Sequence, residues 1–591
     1  MIPPVLFSSL TSVFAAAVPV ETKSTTSAVS VCAADISRMD DPSSDGWDSE
    51  ALTKVVLDRL KTLTTHAVLD KETAATILAP QFQCGDLRPA QLPDVWREGP
   101  FTVRRGKAAS GARLMSPDKF VAAWLAAAPA HAVPDSVHTK CKVLTIARSE
   151  AGLTTTVRVE REGTSAKGLV CQTMLWRCEW VAAGKDQQPG DWRLAGLTVE
   201  QFEEASRTGG TLFSEQSERI AGSSPVWHSQ LAPGQPDWLR HMDTGVTIQQ
   251  FGHHGIALAD VDGDGLEDLY VCQPAGLPNR LFLHQPDGSV REAAADAGVD
   301  WLEPTAAAVF ADLDNDGDAD LILAAEQDLL VQANDGHGHF ASPKIFAHGQ
   351  NYMSLGVADY DGDADLDIYA CSYYPAEAVP GRIAEPAPLH DARNGGRNVL
   401  LRNDTVKPGE WTFSDVTAET GLDIGNSRWS FGVAWEDYDD DGDPDLVVAN
   451  DFGHTNLYRN GRGHFTDVAR DAGMETSAFG MSASWGDYDR DGVLDLYVAG
   501  MFTSAGSRIV PQTLFMPGEN SKRRSQFLGM TTGNMLYRNK GGGKLDDVTA
   551  ESGTAMGRWA WASPFVDINN DGWLDILVTN GWLTNDREDD L

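Results

Sequence analysis

The chain has 591 residues and 42% apolar composition, so it is long enough for two or more domains and too apolar to read as disordered. Its 85 acidic residues outnumber 47 basic ones, giving a net charge of −38. That balance argues against nucleic-acid binding and against adsorption to an anionic membrane, which need a basic face, and leaves solvation or cation binding as uses for the acids.

Residues 1–20 are largely apolar, lack Lys and Arg, and carry Ala15-Ala16-Ala17, a small-residue cleavage signal. They are expected to be a secretory signal without its basic n-region, followed by a Ser/Thr/Ala/Asp-rich linker over 21–47. No later apolar run is long enough for a transmembrane helix. The seven cysteines include no C-x-x-C pair, which argues against zinc and thioredoxin-like chemistry.

From Asp48 the pattern becomes helical, with Leu52, Val55, Val56, Leu60 and Leu63 on one stripe, and a second short helix is expected over Lys71 to Leu78. Strand-like runs follow at Val137 to Ala147, Thr154 to Glu160, Gly168 to Val181 and Trp192 to Val199. Helices followed by an antiparallel sheet predict an α+β domain over 48–206. The order resembles the cone-shaped fold of nuclear-transport-factor-like domains, which implies an internal pocket; small-molecule binding there is one alternative function. A linker is expected over 207–245, and the rest of the chain, 246–591, is repetitive.

The repeat is an acidic nonapeptide found six times: DVDGDGLED, DLDNDGDAD, DYDGDADLD, DYDDDGDPD, DYDRDGVLD and DINNDGWLD, starting at Asp260, Asp312, Asp359, Asp437, Asp487 and Asp567. Carboxylates this crowded repel one another unless a cation neutralises them. Oxygens at positions 1, 3, 5 and 9 and a backbone carbonyl at position 7 suit Ca²⁺, and glycine at position 6 permits the sharp turn. The expected ligand sets, in order, are Asp260, Asp262, Asp264, Leu266 and Asp268; Asp312, Asp314, Asp316, Asp318 and Asp320; Asp359, Asp361, Asp363, Asp365 and Asp367. The remaining three are Asp437, Asp439, Asp441, Asp443 and Asp445; Asp487, Asp489, Asp491, Val493 and Asp495; Asp567, Asn569, Asp571, Trp573 and Asp575, so up to six Ca²⁺ ions are expected. The loops are not EF-hands: position 12 of the first is Val271 instead of Glu, and strand-like runs flank it instead of helices. Ala364 at a glycine position and neutral Asn569 predict a strained third loop and a weak sixth.

A second motif alternates with the first, as in NLYRNGRGHFTDVARDAG from Asn456 and NMLYRNKGGGKLDDVTAESG from Asn534. It reads as strand, glycine-rich hairpin, strand. Each repeat then has four short strands, and such units repeated radially make a β-propeller. The combined strings resemble FG-GAP/VCBS repeats, as in integrin α subunits, and most nearly the cartilage acidic protein family and its bacterial relatives. The resemblance spans roughly 250 to the end and implies a calcium-loaded propeller, of seven blades when complete. A C-terminal module usual in that family does not follow VTNGWLTN, so a truncated propeller, or one closed by strands from 236–250, is expected.

The two longest insertions, about 373–397 and 502–533, join strands two and three of their repeats and so belong on the face away from the acidic loops. Aromatic and basic residues on that side form a candidate ligand face: His253, His254, Tyr352, Arg428, Trp429, Arg508, Arg523, Arg524, Arg558, Trp559 and Trp561, with Lys522 beside them. The expected function is that of a secreted, periplasmic or cell-surface protein that binds an extracellular protein or glycan without catalysis. A polysaccharide-acting lyase or hydrolase is the other alternative, although the sequence shows no HExxH, GxSxG or nucleophile–base constellation.

Overall fold

The computed structural model describes residues 47–580 apart from 66–70, 109–110, 129–135, 150–151, 166–167, 184–190, 210–212, 235–236, 239–254, 326, 376–384 and 475–476. The expected signal segment therefore lies outside the described residues, as do His253 and His254. The chain divides into two compact units: 1–214 with 504–518, and 215–503 with 519–591.

In the first unit, α1 (Asp48–Thr65) buries Leu52, Val56, Leu60 and Leu63 as its stripe requires. A short helix α2 (Lys71–Ile77) leads into strand β1 (Leu78–Cys84). Strands β2 (Asp94–Glu98), β3 (Phe101–Gly106) and β4 (Arg113–Leu114) precede α3 (Pro117–Ala126). Helix α3 starts on a Ser116 cap with proline at its first turn. Strands β5 (His138–Ser149), β6 (Gly152–Ser165), β7 (Gly168–Ala182) and β8 (Trp192–Thr208) are much longer. The sheet runs β2-β3-β8-β7-β6-β5, with β1 parallel to the start of β8. Register shifts at Leu175/Trp176 and Glu179/Trp180 mark β-bulges between β7 and β8. Alternate residues of β7, among them Met174, Trp176, Cys178 and Trp180, enter a core shared with Phe120 and Trp124 of α3.

The segment 504–518, drawn from the second repeat insertion, belongs to this unit. Its helix α4 (Ser504–Ile509) carries Arg508, whose guanidinium grips both oxygens of Glu50 at 3.0 and 2.5 Å and donates to the Val143 carbonyl at 2.6 Å. Gln512 donates to Ser49 Oγ at 2.8 Å.

The second unit is a succession of antiparallel four-stranded meanders. The first sheet comprises Ile256–Ala259, Asp268–Val271, Arg280–His284 and Val290–Glu292. The second runs from Thr305 to His348, the third from Tyr352 to Asp415, the fourth from Trp429 to Asp467 and the fifth from Gly480 to Asp547. A sixth repeat contributes an interrupted hairpin, 560–566 against 575–580. The first strands of successive sheets lie side by side from the first to the sixth. Residues from all six line a single cavity of about 300 Å³, including Ile256, Ala308, Leu355, Val433, Ala483 and Trp561. Among the described residues no strand pairing joins the sixth sheet back to the first, so a closed ring is not formed by them. Ile256 and Leu258 on the first strand are correspondingly 64% and 61% exposed.

The segment expected as a linker over 207–245 is partly structured. Residues 217–221 and 227–231 are helical, and Gln230 donates to the Pro278 carbonyl at 2.8 Å while accepting from Arg280 Nε at 2.9 Å. Polar side chains there bond the turn between the second and third strands of the first sheet, which hydropathy alone does not register. The six described cysteines are free thiols. Among the described residues no helix is long and apolar enough to cross a membrane.

Candidate metal centres and the joints between sheets

Each acidic loop joins strand one to strand two of its sheet, and all six fold alike because the same side chains bond the same backbone groups. The carboxylate at position 1 accepts the N–H groups of positions 5 and 6: Asp264 and Gly265 on Asp260, for example, at 3.1 and 2.8 Å. The same pairs recur on Asp312, Asp359, Asp437, Asp487 and Asp567. The position 5 carboxylates of Asp264, Asp316, Asp363, Asp441, Asp491 and Asp571 each accept the N–H of position 7, which belongs to Leu266, Asp318, Asp365, Asp443, Val493 and Trp573. Position 6 is left-handed throughout, with φ between 76° and 96°; five loops place glycine there, and Ala364 adopts φ 76° at the cost of the strain its sequence predicts.

The position 9 aspartate anchors the loop to the sheet. Asp268, Asp320, Asp367, Asp445 and Asp495 are at most 1% exposed. One oxygen of each accepts the N–H of position 2, and the other accepts an N–H at the end of strand three, as Asp445 does from Tyr438 at 3.2 Å and Asn460 at 2.7 Å. Burial, reinforced by the carboxylates at positions 3 and 5, pushes Asp320 and Asp367 up to about 7 and Asp445 to about 8 despite those bonds.

A buried carboxylate is costly unless a counter-charge or hydrogen bonds offset it. Three carboxylates come within 4.8 Å of one another in five loops: Asp260, Asp262 and Asp268; Asp312, Asp314 and Asp316; Asp359, Asp361 and Asp367; Asp437, Asp439 and Asp445; Asp487, Asp489 and Asp495. At position 3 the buried Oδ1 atoms of Asp262, Asp314, Asp439 and Asp489 have no hydrogen-bond partner. Buried acceptors are ordinarily satisfied. Oxygen-only donors converging on orphaned carboxylate atoms fit a hard divalent cation. The sixth loop has Asn569 at position 3, which accepts from Asp571 N–H at 2.9 Å, so it offers one charge fewer.

A second regularity explains the asparagine that closes strand three. Asn334 donates its side-chain N–H to Val261 O at 2.9 Å, Asn403 to Leu313 O at 2.7 Å, Asn460 to Tyr360 O at 2.8 Å and Asn539 to Tyr438 O at 2.8 Å. Each acceptor is position 2 of the acidic loop in the preceding sheet. The same side chains also donate to position 8 of their own loop. One buried amide therefore ties two neighbouring loops together. These residues were not expected from the sequence as functional, although the recurring R-N of LLRN and LYRN is the signal that marks three of them.

Several residues expected on a ligand face are placed elsewhere. Tyr352, Arg428 and Trp429 are only 3%, 5% and 2% exposed. Tyr352 packs with Leu355 and Ile368 between sheets. Trp429 meets Tyr373 edge-on at 4.9 Å and donates Nε1–H to Asn394 at 3.1 Å, while Arg428 pairs with Asp391 at 2.7 Å. Arg508 is engaged by Glu50 in the first unit, as described. In each case the side chain found a better partner inside the fold than solvent offers. Arg523 pairs with Glu519, Arg524 is half-buried, Arg558 is exposed, and Trp559 and Trp561 are half-buried; Trp561 packs on Phe431 at 5.3 Å.

A model of the FG-GAP-like repeat family matches residues 260–323, 312–370, 437–498 and 527–578. Cartilage acidic protein 1 of Homo sapiens is 26% identical over 207 residues, which cover 34% of this chain and 28% of that protein. Among solved structures, an Agrocybe aegerita lectin described as recognising non-reducing terminal N-acetylglucosamine aligns over 69% of this chain and 79% of its own, at 14% identity and a TM-score of 0.30. A Photorhabdus luminescens Tc holotoxin pore aligns over 68% of this chain and 15% of its own, at 14% identity and a TM-score of 0.22. TM-scores this low carry no argument about fold. All six acidic loops fall within the four matched spans, and on that agreement the second unit carries FG-GAP-like repeats and resembles the cartilage acidic protein family.

Proposed function

We propose that this chain is an extracellular, calcium-loaded β-propeller that binds a protein or glycan and performs no catalysis of its own. The observation that carries the reading is the orphaned position 3 carboxylate oxygen in four loops of identical geometry. In each loop Ca²⁺ would be held by the carboxylates at positions 1, 3, 5 and 9 and the carbonyl at position 7. It would supply charge neutralisation, and because the ligands converge only in the folded chain, its binding energy becomes folding energy. The propeller reading rests on the side-by-side first strands that share one cavity. Millimolar extracellular calcium suits such sites, and the apolar signal-like N-terminus supports export.

The test is incubation of the full chain with immobilised acidic and neutral polysaccharides and with extracellular-matrix protein, in calcium or in chelator. Calcium-dependent retention without release of sugar ends is expected. Release of new sugar ends would replace this reading with an enzyme.

A further inference from the structure

The insertion of the third sheet (373–398) and that of the fifth (501–534) both leave strand two and return at strand three. Between them lies the fourth sheet, whose turn after strand two, Gly453–His454, pairs with Ser477–Ala478 of the link to the fifth sheet in a two-stranded outgrowth. The insertions converge there. Helix α5 (Ser521–Gly529), capped by Asn520, packs on the outgrowth, and Phe527 stacks near His390 of the other insertion at 5.2 Å.

Together they enclose a cleft of about 610 Å³ that includes Asp391, Arg393, His454, Asp467, Arg470 and Lys522 in its walls. The volume lies within the range of small-ligand sites, about 300–1,000 Å³. The two acids are already committed. Asp391 accepts from Arg428 at 2.7 Å and Arg393 at 2.8 Å; Asp467 accepts from Asn456 at 2.6 Å and lies 3.6 Å from His454 Nε2. His454 Nδ1 lies 4.0 Å from Asp391, so the imidazole bridges the two carboxylates. Among the described residues, Arg470 and Lys522 have neither an ion-pair nor a side-chain hydrogen-bond partner. The cleft thus presents two uncommitted cations in a chain of net charge −38. Phe452, beside the outgrowth, is held at φ 60°, a conformation costly for a bulky residue and tolerated where the surroundings fix it.

From this arrangement we propose that the cleft binds an anionic saccharide, its carboxylate or sulfate taken by Arg470 and Lys522 and its hydroxyls by the oxygens of Asp391 and Asp467. A peptide would need apolar anchor pockets, whereas Met474 is the one apolar side chain in the cleft lining. Uncommitted cations suit an acid, and fixed carboxylates suit hydroxyl donors. The proposal deepens the binding function above and rests on it.

The experiment is calorimetric titration of the calcium-saturated full chain with four probes: a hyaluronan tetrasaccharide, a chondroitin sulfate tetrasaccharide, neutral chitotetraose and a hexaglutamate peptide. The Arg470→Ala/Lys522→Ala double variant is titrated in parallel, and because both positions are exposed its melting temperature should match that of the parent. Binding of an acidic saccharide at least tenfold tighter than chitotetraose, weakened at least tenfold in the variant, is expected. The first two probes separate carboxylate from sulfate recognition. Unchanged saccharide affinity in the variant would remove the cleft from the account while leaving the extracellular-binder reading intact. Tighter binding of hexaglutamate, or no saccharide binding by a chain still retained on matrix protein, would overturn the saccharide class. Failure of retention on every polysaccharide and protein support would strike the broader reading instead.

Discussion

Asn460, the last residue of a third strand, donates its buried side-chain N–H to the carbonyl of Tyr360, 100 residues earlier in the acidic loop of the preceding sheet, at 2.8 Å. The asparagine is fully buried, so the bond has no competing water. Loss of one partner strands the other in a dry environment, which costs about 1–3 kcal/mol. Asn460→Ala should therefore lower stability by roughly 2 kcal/mol in a denaturant titration. Asn539→Ala should do the same through Tyr438. A change indistinguishable from zero in both would mean the asparagines do not join the sheets.

Asp439 separates the two roles of an acidic side chain. Its buried Oδ1 has no protein partner, so in chelator Asp439→Asn removes repulsion from Asp437 and Asp441 and leaves the melting temperature equal or higher. In calcium the same change should remove one bound ion and lower the melting temperature. Destabilisation of equal size in both conditions would show that Asp439 is structural.

Ala364 tests the strain in the third loop. Its φ of 76° costs an L-residue about 1–2 kcal/mol, part of which is offset because glycine gains freedom in the unfolded chain. Ala364→Gly should stabilise by roughly 0.5–1 kcal/mol, measured by chemical denaturation, and should tighten calcium binding at that loop.

Asp451 gives a pH dependence of defined sign. It is 3% exposed and accepts the Tyr373 hydroxyl at 2.6 Å, and burial pushes its carboxyl up to about 7. The folded protein thus holds a proton that the unfolded chain loses near about 3.9. For such a raised carboxyl the stability is fully present below the unfolded value and is lost as pH rises toward about 7. Asp451→Asn keeps the acceptor and removes the ionisation. The variant's melting temperature should gain on the parent's between pH 5 and 8, tested by scans at fixed calcium; a constant difference across that range would contradict the assignment.

Arg508 links an insertion of the repeat region to the first unit. With Glu50 it forms a bidentate pair, 5% and 11% exposed at the side chains. Removing one member of such a buried pair costs about 3–5 kcal/mol, because the other charge is left uncompensated. Arg508→Met should expose 504–518 to limited proteolysis, and Arg508→Met/Glu50→Gln should recover much of the loss.

The acidic loops were legible because the bonds made by their position 1 and position 5 carboxylates form a local code within nine consecutive residues, whereas the asparagine that holds position 2 comes from the next sheet. Helix α1 and the long strands β5–β8 were legible from periodicity for the same reason. Strands β1 to β4 and helix α3 were not anticipated; short exposed strands such as Asp94–Glu98 show no apolar alternation. The buried fates of Trp429 and Tyr352 could not be separated from exposure, because an aromatic at the head of a strand looks alike in sequence whether it meets solvent or Tyr373. The cleft was invisible for a different reason. Asp391, His454 and Lys522 come from three segments that only the order of the sheets brings together.

The central claim is that the acidic loops are cation cages that stabilise the repeat region. Calorimetric titration of the chelator-stripped chain with Ca²⁺, followed by thermal scans, tests it most directly. Binding of about five ions, one for each three-carboxylate cluster, is predicted, with each site adding about 2.7 kcal/mol when free calcium is about 100 times its Kd. The melting temperature should rise accordingly. Absence of stoichiometric binding, or binding that leaves the melting temperature unchanged, would contradict the account.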